Sequence, residues 1–298
     1  MELNGLHLLL TYQCTFECDH CFVWGSPFQT GTMTLNDLRT IFNQSKDNSA
    51  IEWIYFEGGE PFLYYQLMLS GIKLANEFGY KVGLVTNSYW ATSEEDALLW
   101  LYPLEGKVQD LTISSDLFHF SEKISQQSKY VTQAAEKLKI PIGVICIEQP
   151  EIPSNPSVGQ IPSESSSVMY RGRAADKLTH NAVYQSAINF IACPHENLRN
   201  PGRVHIDPFG NMHICQGISI GNIFSSSLSE ICNNYSPSTH PIISLLLDGG
   251  PLQLAKHNNI HYQDAYADAC HMCYEVRKLI RDNFTDILLP NQMYGVFN

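Results

Sequence analysis

The sequence predicts an α/β fold: βα units on a parallel sheet, with a smaller domain of different texture behind them. Three observations carry this. Apolar runs of strand length alternate with amphipathic stretches as far as residue 147. The alternation fades after Lys177 into short β-like pieces with Gly and Asn turns. The 298 residues, 44% hydrophobic and 16% charged, suffice for one large domain or a barrel with an appendage.

The elements follow in order. Leu6 to Tyr12 reads as a first strand. Thr34 starts a helix, with Asp37 placed three residues on as its capping partner. Ile51 to Phe56 is a second strand and Phe62 to Phe78 a helix. Lys81 to Thr86 is a third strand, and Ser93 to Leu101 a helix whose first turn carries Glu94 and Glu95, as the helix dipole prefers. Val108 to Ser114, Ser128 to Leu138 and Ile140 to Ile147 continue the strand–helix–strand order. Gln149 to Ser167 is rich in Pro and Ser and reads as a long loop over an active site or a connector. Val168 to Arg171 is a short sixth strand. A domain change near residue 180 gives domains 1–180 and 181–298. A turn at Pro208-Phe209-Gly210-Asn211 divides Arg203 to Cys215.

A formal net charge of -12 argues against a basic nucleic-acid face. No apolar run nears the roughly 18 residues of a membrane helix, and Met1 to Leu10 lacks a basic signal-peptide start. A soluble cytoplasmic protein without membrane or nucleic-acid partners is expected. Nine cysteines in such a setting point to metal or catalysis, since an odd count cannot pair fully and the compartment is reducing.

Three of them, Cys14-x3-Cys18-x2-Cys21, follow directly on the first strand. Three thiolates on one loop leave a metal position open, which chemistry at a metal requires; with His20 as a fourth ligand the same loop would hold zinc. Further motifs stand at strand ends: Gly58-Gly59-Glu60-Pro61, Thr86-Asn87 and Ser114-Ser115-Asp116. The C-terminal ends of strands are where a β/α barrel builds its site.

This constellation resembles the radical S-adenosylmethionine (SAM) superfamily over residues 5 to 175. The resemblance implies a partial (β/α)6 TIM-type barrel and a SAM-binding [4Fe-4S] cluster on Cys14, Cys18 and Cys21. It implies SAM contacts from Phe22 by the adenine, from Gly58, Gly59 and Glu60 by the methionine amine, and from Ser114 and Asp116 by the ribose. It further implies polar work near SAM for Asn87 and makes Arg171 a candidate for its carboxylate. The residues taken alone allow plainer readings: a strand-to-helix turn at Pro61, helix caps at Asn87 and Asp116, a brace at Glu60 and a surface arginine at Arg171.

Cys193, Cys215 and the pair Cys270-x2-Cys273 form a second set whose spacing suits zinc or an iron-sulfur cluster equally. The set is similar to the twitch form of the SPASM extension, which implies a small α+β iron-sulfur domain with a second, auxiliary [4Fe-4S] cluster. Cys146 and Cys232 read as buried small hydrophobes. His119 could face the site; His195, His205, His213, His257 and His261 read as ordinary polar residues.

What the resemblance implies for function is reductive SAM cleavage, hydrogen abstraction and modification of a ribosomally made peptide, with an electron donor such as flavodoxin or ferredoxin. The nearest likeness is to peptide epimerases, with a departure: Gln216 follows Cys215 where those enzymes carry a donor cysteine beside a cluster ligand. Crosslinking, small-molecule dehydrogenation and a non-catalytic iron-sulfur or zinc protein are the alternatives.

Overall fold

The structure, a computed structural model, describes residues 1–48, 50–150 and 165–297. Strand β1 (Gly5–Thr11) is buried throughout. Its neighbour β2 (Trp53–Gly58) runs parallel, with His7 opposite Tyr55 and Leu9 opposite Glu57. Then come β3 (Lys81–Thr86), β4 (Asp110–Ser114) and β5 (Ile142–Ile147), each parallel to the last. The sixth strand is β6 (Ser165–Ser166), which pairs with Cys146 and Ile147. That corrects the expected strand at Val168 to Arg171. The main-chain amide of Arg171 instead bonds Met169 O, closing a turn that feeds helix α5 (Arg173–Lys177). Most of the expected loop Gln149 to Ser167, positions 151–164, lies outside the described residues.

Helices α1 (Leu35–Ser45), α2 (Tyr65–Glu77), α3 (Glu94–Leu101) and α4 (Gln126–Lys137) connect the strands. Thr34 and Asp37 close a reciprocal capping box on α1. Helix α4 starts earlier than expected, because Ser125 is its cap and accepts the Ser128 amide. The result is an α/β protein of the partial TIM-barrel type.

The C-terminal part adds short β7 (Gln185–Ser186), then β8 (Arg203–Ile206), β9 (Asn211–Cys215) and β10 (Ile218–Asn222). Helices α6 (Leu228–Asn234) and α7 (Ile243–His257), strand β11 (Ala265–Tyr266) and helix α8 (Ala269–Ile280) complete it. The sheet crosses the expected boundary at residue 180. Its order is β10-β9-β8-β1-β2-β3-β4-β5-β6, with β8 parallel to β1 and His205 beside His7. A lone β1 edge would expose unpaired backbone, and β8 covers it. The β8–β9 turn is locked by buried Asp207, which accepts from the amides of Phe209 and Asn211 and from the Tyr12 hydroxyl.

Two cores result. One joins the sheet to α1–α4 and takes in Cys232. The other joins Leu9, Tyr12 and Val23 to Ile214, Leu254, Met272 and Tyr274. The loop after β1 is thereby held against α8, where Trp24 Nε1 donates to Tyr274 Oη at 2.9 Å.

Candidate active site

The lumen of the sheet holds a cavity of about 630 Å³, of the size that takes a small molecule. Cys14, Cys18 and Cys21 line it, on the loop that follows β1. Donors already aim at their sulfurs: Gly25 N–H at Cys21 Sγ (3.2 Å), Phe16 N–H and Asn87 Nδ2 at Cys14 Sγ (both 3.5 Å). Burial, then the nearby Glu60 carboxylate, pushes the Cys14 thiol up to about 12. Burial and the two neighbouring thiols push Cys18 up as well. Thiols so placed are poor anions unless a cation joins them, and N–H···S donors suit the thiolates of an iron-sulfur site. The residues therefore fit the cluster expected there.

The glycine pair at the end of β2 has a steric reason. A Cβ on Gly59 would stand 2.1 Å from Gln13 O, and one on Gly58 2.4 Å from Thr11 O. Only glycine lets this turn touch the cysteine loop, which it then fastens through Gly59 N–H to Thr11 O and Glu60 N–H to Gln13 O.

Glu60 does not line the cavity. It is fully buried, and its oxygens accept from the Phe62 amide, the Thr86 hydroxyl and the Asn87 amide, at 3.0, 2.8 and 2.8 Å. Of the two roles expected for it, the structure shows the brace. Burial raises this carboxyl to about 7 against those three bonds. Asp116 is likewise behind the wall. Its Oδ1 accepts from the amides of Phe118 and His119 and meets His119 Nδ1 at 2.8 Å, while Oδ2 takes the Ile147 amide. It closes a turn and orients His119, rather than facing a ribose or capping α4. Ser114 and His119 do line the cavity, and His20 stands with its ring 5.1 Å from that of His119. Burial pulls His20 down to about 4, and its Nδ1 is buried without a partner.

Asn87 faces the cavity, and its side chain serves the cysteine loop, reaching Thr15 Oγ1 at 3.1 Å as well as Cys14. Phe22 lies under the Arg171 guanidinium, 5.2 Å from ring centre to Cζ. Arg171 lines the cavity and is no surface arginine. Its Nη1 faces Glu196 Oε1 at 3.4 Å and Cys215 Sγ at 3.5 Å, so it links the first loop to the second cysteine set.

That second set gathers from three places: Cys193 in a loop, Cys215 ending β9, and Cys270 with Cys273 one turn apart on α8. Burial first, then Cys215, pushes the Cys193 thiol up to about 12, and Cys270 is raised by burial and by Asp268. Cys146 and Cys232 are both buried. Ile145 and Ile147 line the cavity, so alternation along β5 turns Cys146 away from it.

Several functional positions escaped the sequence reading. Arg173, buried beneath the cysteine loop, donates to Cys18 O and Gly25 O at 2.8 Å each. His7, Glu57 and His205 meet inside the lumen, which corrects the reading of His205 as an ordinary polar residue. His195 is also on the cavity wall, close to Asp268 and Cys270. The available signal was a charged or imidazole residue inside an otherwise apolar strand, as in Gly5–Thr11 and Trp53–Gly58.

Residues 8–110 match the radical SAM superfamily. Over that stretch the chain carries a radical SAM domain. It is 27% identical over 129 residues to YydG of Bacillus subtilis (strain 168), whose name is that of a peptide biosynthesis protein. The match covers 43% of this chain and 40% of YydG, so the chain spans about two-fifths of the length of the curated relatives it matches. BtrN, solved with AdoMet and 2-DOIA, superposes with a TM-score of 0.52 at 16% identity over 78% of this chain and 84% of its own. The anSMEcpe enzyme with bound AdoMet gives 0.52 at 12% identity over 99% of this chain and 98% of its own. These two likenesses concern the fold. No helix among the described residues is long and apolar enough to cross a membrane.

Proposed function

We propose that this chain is a radical SAM enzyme that modifies a ribosomally made peptide. A [4Fe-4S] cluster on Cys14, Cys18 and Cys21, with SAM, would supply one-electron cleavage of the sulfonium and a 5'-deoxyadenosyl radical that removes a hydrogen atom from the substrate. The chain's own residues do the rest. Asn87 and the Gly25 amide stabilise the thiolates, Arg173 fixes the loop, and the walls at Phe22, Ser114 and His119 hold SAM and keep water out. The observation that carries the reading is the open three-cysteine loop on the wall of the lumen cavity; YydG's printed name supports the peptide.

An auxiliary [4Fe-4S] cluster on Cys193, Cys215, Cys270 and Cys273 belongs to the same reading, making 181–298 a twitch-like domain. Support comes from spacing. Tetrahedral zinc with bonds of about 2.3 Å draws sulfurs to within about 4 Å of one another. Among the described residues the ligand groups that close to within 4.8 Å are His7–Glu57–His205, His20–Asp116–His119 and His195–Asp268–Cys270, with one thiol in all. Sets this open favour the larger cluster. An external one-electron donor of the flavodoxin or ferredoxin kind completes the scheme.

The reaction class favoured is a net oxidation such as crosslinking, over epimerisation: the 5'-deoxyadenosyl radical would take one hydrogen atom, and the substrate radical would lose the second as a proton, its electron passing to the auxiliary cluster. Epimerisation needs a thiol to return hydrogen, and among the described residues the cavity-lining cysteines are Cys14, Cys18 and Cys21. The test is incubation of the reconstituted enzyme, SAM and reductant with a short peptide encoded beside its gene. Loss of two hydrogens supports the reading; a peptide of unchanged mass in ordinary water that gains one deuterium in heavy water, on an inverted α-carbon, overturns the oxidation.

A further inference from the structure

The lower half of the lumen is built from polar groups that the cluster chemistry does not use. Barrel interiors are ordinarily filled by branched aliphatic side chains. Here the inward positions of β8, β1, β2 and β4 carry His205, His7, Tyr55, Glu57 and Asp110, and all five line the cavity. Burying such groups is costly unless each is satisfied.

They form one structure. His7 stacks flat on Tyr55, with ring centres 4.6 Å apart and planes 10° apart. The Tyr55 ring lies across β3 at Gly83, where a Cβ would stand 2.2 Å from it, so the glycine makes room for the platform. The Tyr55 hydroxyl donates to Asp110 Oδ2 at 2.8 Å, and Thr112 Oγ1 donates to Oδ1 at 3.2 Å. Glu57 Oε1 is met by His7 Nδ1 at 3.1 Å and by His205 Nε2 at 3.0 Å. Among the described residues, then, both carboxylates are held by hydrogen-bonding rings and hydroxyls rather than by lysine or arginine. Arg203 also lines the lower wall, beside Glu196 at 4.0 Å. With Glu57, Asp110 and Glu196 counted against Arg203 and Arg171, this region keeps one net negative charge.

We infer that the lower lumen is a cation site: the His7–Tyr55 platform with the carboxylates of Glu57 and Asp110 takes the ammonium or guanidinium end of a substrate side chain. Aromatic faces and carboxylates together are the groups that recognise such a cation. The depth suits a side chain with a carbon stem. Glu57 is in register with Leu9, two residues below Thr11, and Asp110 is four below Ser114. At about 3.3 Å per residue, Glu57 lies about 7 Å beneath the end of β1, which carries the cysteine loop, and Asp110 about 13 Å beneath the end of β4. A substrate anchored by its charged tip thus presents its backbone and upper carbons at the level of the cluster. This assignment rests on the reading of the chain as an enzyme whose substrate enters the lumen.

The experiment uses the reconstituted enzyme with SAM bound and calorimetry with short glycine peptides, capped at both ends, whose central residue is lysine, arginine or norleucine. Butylamine serves as the free-amine arm. A lysine or arginine peptide is expected to bind about tenfold more tightly than the norleucine peptide, and Glu57→Gln to remove that preference. Asp110→Asn is the second variant should Glu57→Gln lose its cluster absorbance. Butylamine binding as well as the lysine peptide supports the cation site and assigns it to a small amine. Equal binding of norleucine and lysine peptides overturns it. So does stoichiometric zinc that is lost in Glu57→Gln without any lysine preference. Failure of the wild-type enzyme to cleave SAM would count against the enzymatic reading instead, so the two are distinguishable.

Discussion

Arg173 and Cys18 stand 155 residues apart in sequence, yet Arg173 Nη1 donates to the Cys18 carbonyl at 2.8 Å. The second arm of the same guanidinium takes Gly25 O at 2.8 Å, and the Arg173 amide takes Cys21 O at 2.9 Å. One buried side chain from beyond the sixth strand thus clasps the cysteine loop at both ends.

Arg173→Lys keeps the charge and loses the planar fork. We expect destabilisation of about 2 kcal/mol or more, because a buried carbonyl loses its charged donor. The first site should retain less iron after gel filtration while the second set keeps its own. Iron content and urea midpoints check this.

Asn87→Leu removes the donors to Cys14 Sγ and Thr15 Oγ1 at little change in volume. Fewer N–H···S bonds leave more charge on the sulfurs, so the first cluster should become harder to reduce. A midpoint potential shifted to more negative values in an EPR-monitored titration is the expected result.

Gly59→Ala drives a methyl group against Gln13 O, and backbone cannot step aside as a flexible side chain does. The expected cost is about 1–3 kcal/mol or more, with a displaced cysteine loop and reduced SAM binding. Thermal denaturation and calorimetry with SAM report the two effects separately.

The pH response follows from His205, whose burial pulls it from 6.5 to about 4. Between those values the unfolded chain holds a proton that the native state refuses. Native stability therefore falls as pH drops from 6.5 toward 4. Glu60 works in the opposite sense, since a carboxyl raised to about 7 contributes more as pH falls from 7 to 4.5. The informative quantity is the difference between wild type and His205→Gln, which keeps a donor toward Glu57 and cannot titrate. At pH 5 the variant should lose about 1–2 kcal/mol less than wild type relative to pH 7. Urea melts at the two pH values measure it.

The barrel half was legible because its elements are local. Strand β1 is an apolar run interrupted by His7, and Thr34 with Asp37 spells a capping box. The cysteine loop, the glycine pair and Asn87 were legible because they sit at strand ends in a spaced order. What did not show was which way a polar side chain points. Glu60 and Asp116 look like ligand-facing carboxylates, yet each turns inward to satisfy backbone amides that the strand ends leave unpaired. Arg171 turns to the second cysteine set for a similar reason, since a half-buried guanidinium seeks the nearest negative groups. His7 and His205 become neighbours only because β8 docks beside β1, a pairing between residues nearly 200 apart that no local pattern announces.

The central claim is that Cys14, Cys18 and Cys21 hold the cluster at which SAM is cleaved, separate from the second cysteine set. The most direct measurement is 5'-deoxyadenosine formation, with iron content, for the wild-type enzyme and the triple variant Cys14→Ala, Cys18→Ala, Cys21→Ala after anaerobic reconstitution. Wild type should hold about eight irons and form the product under reductant; the triple variant should hold about four and form none. Unchanged 5'-deoxyadenosine production in the triple variant, or stoichiometric zinc without cluster absorbance in wild type, would contradict the account.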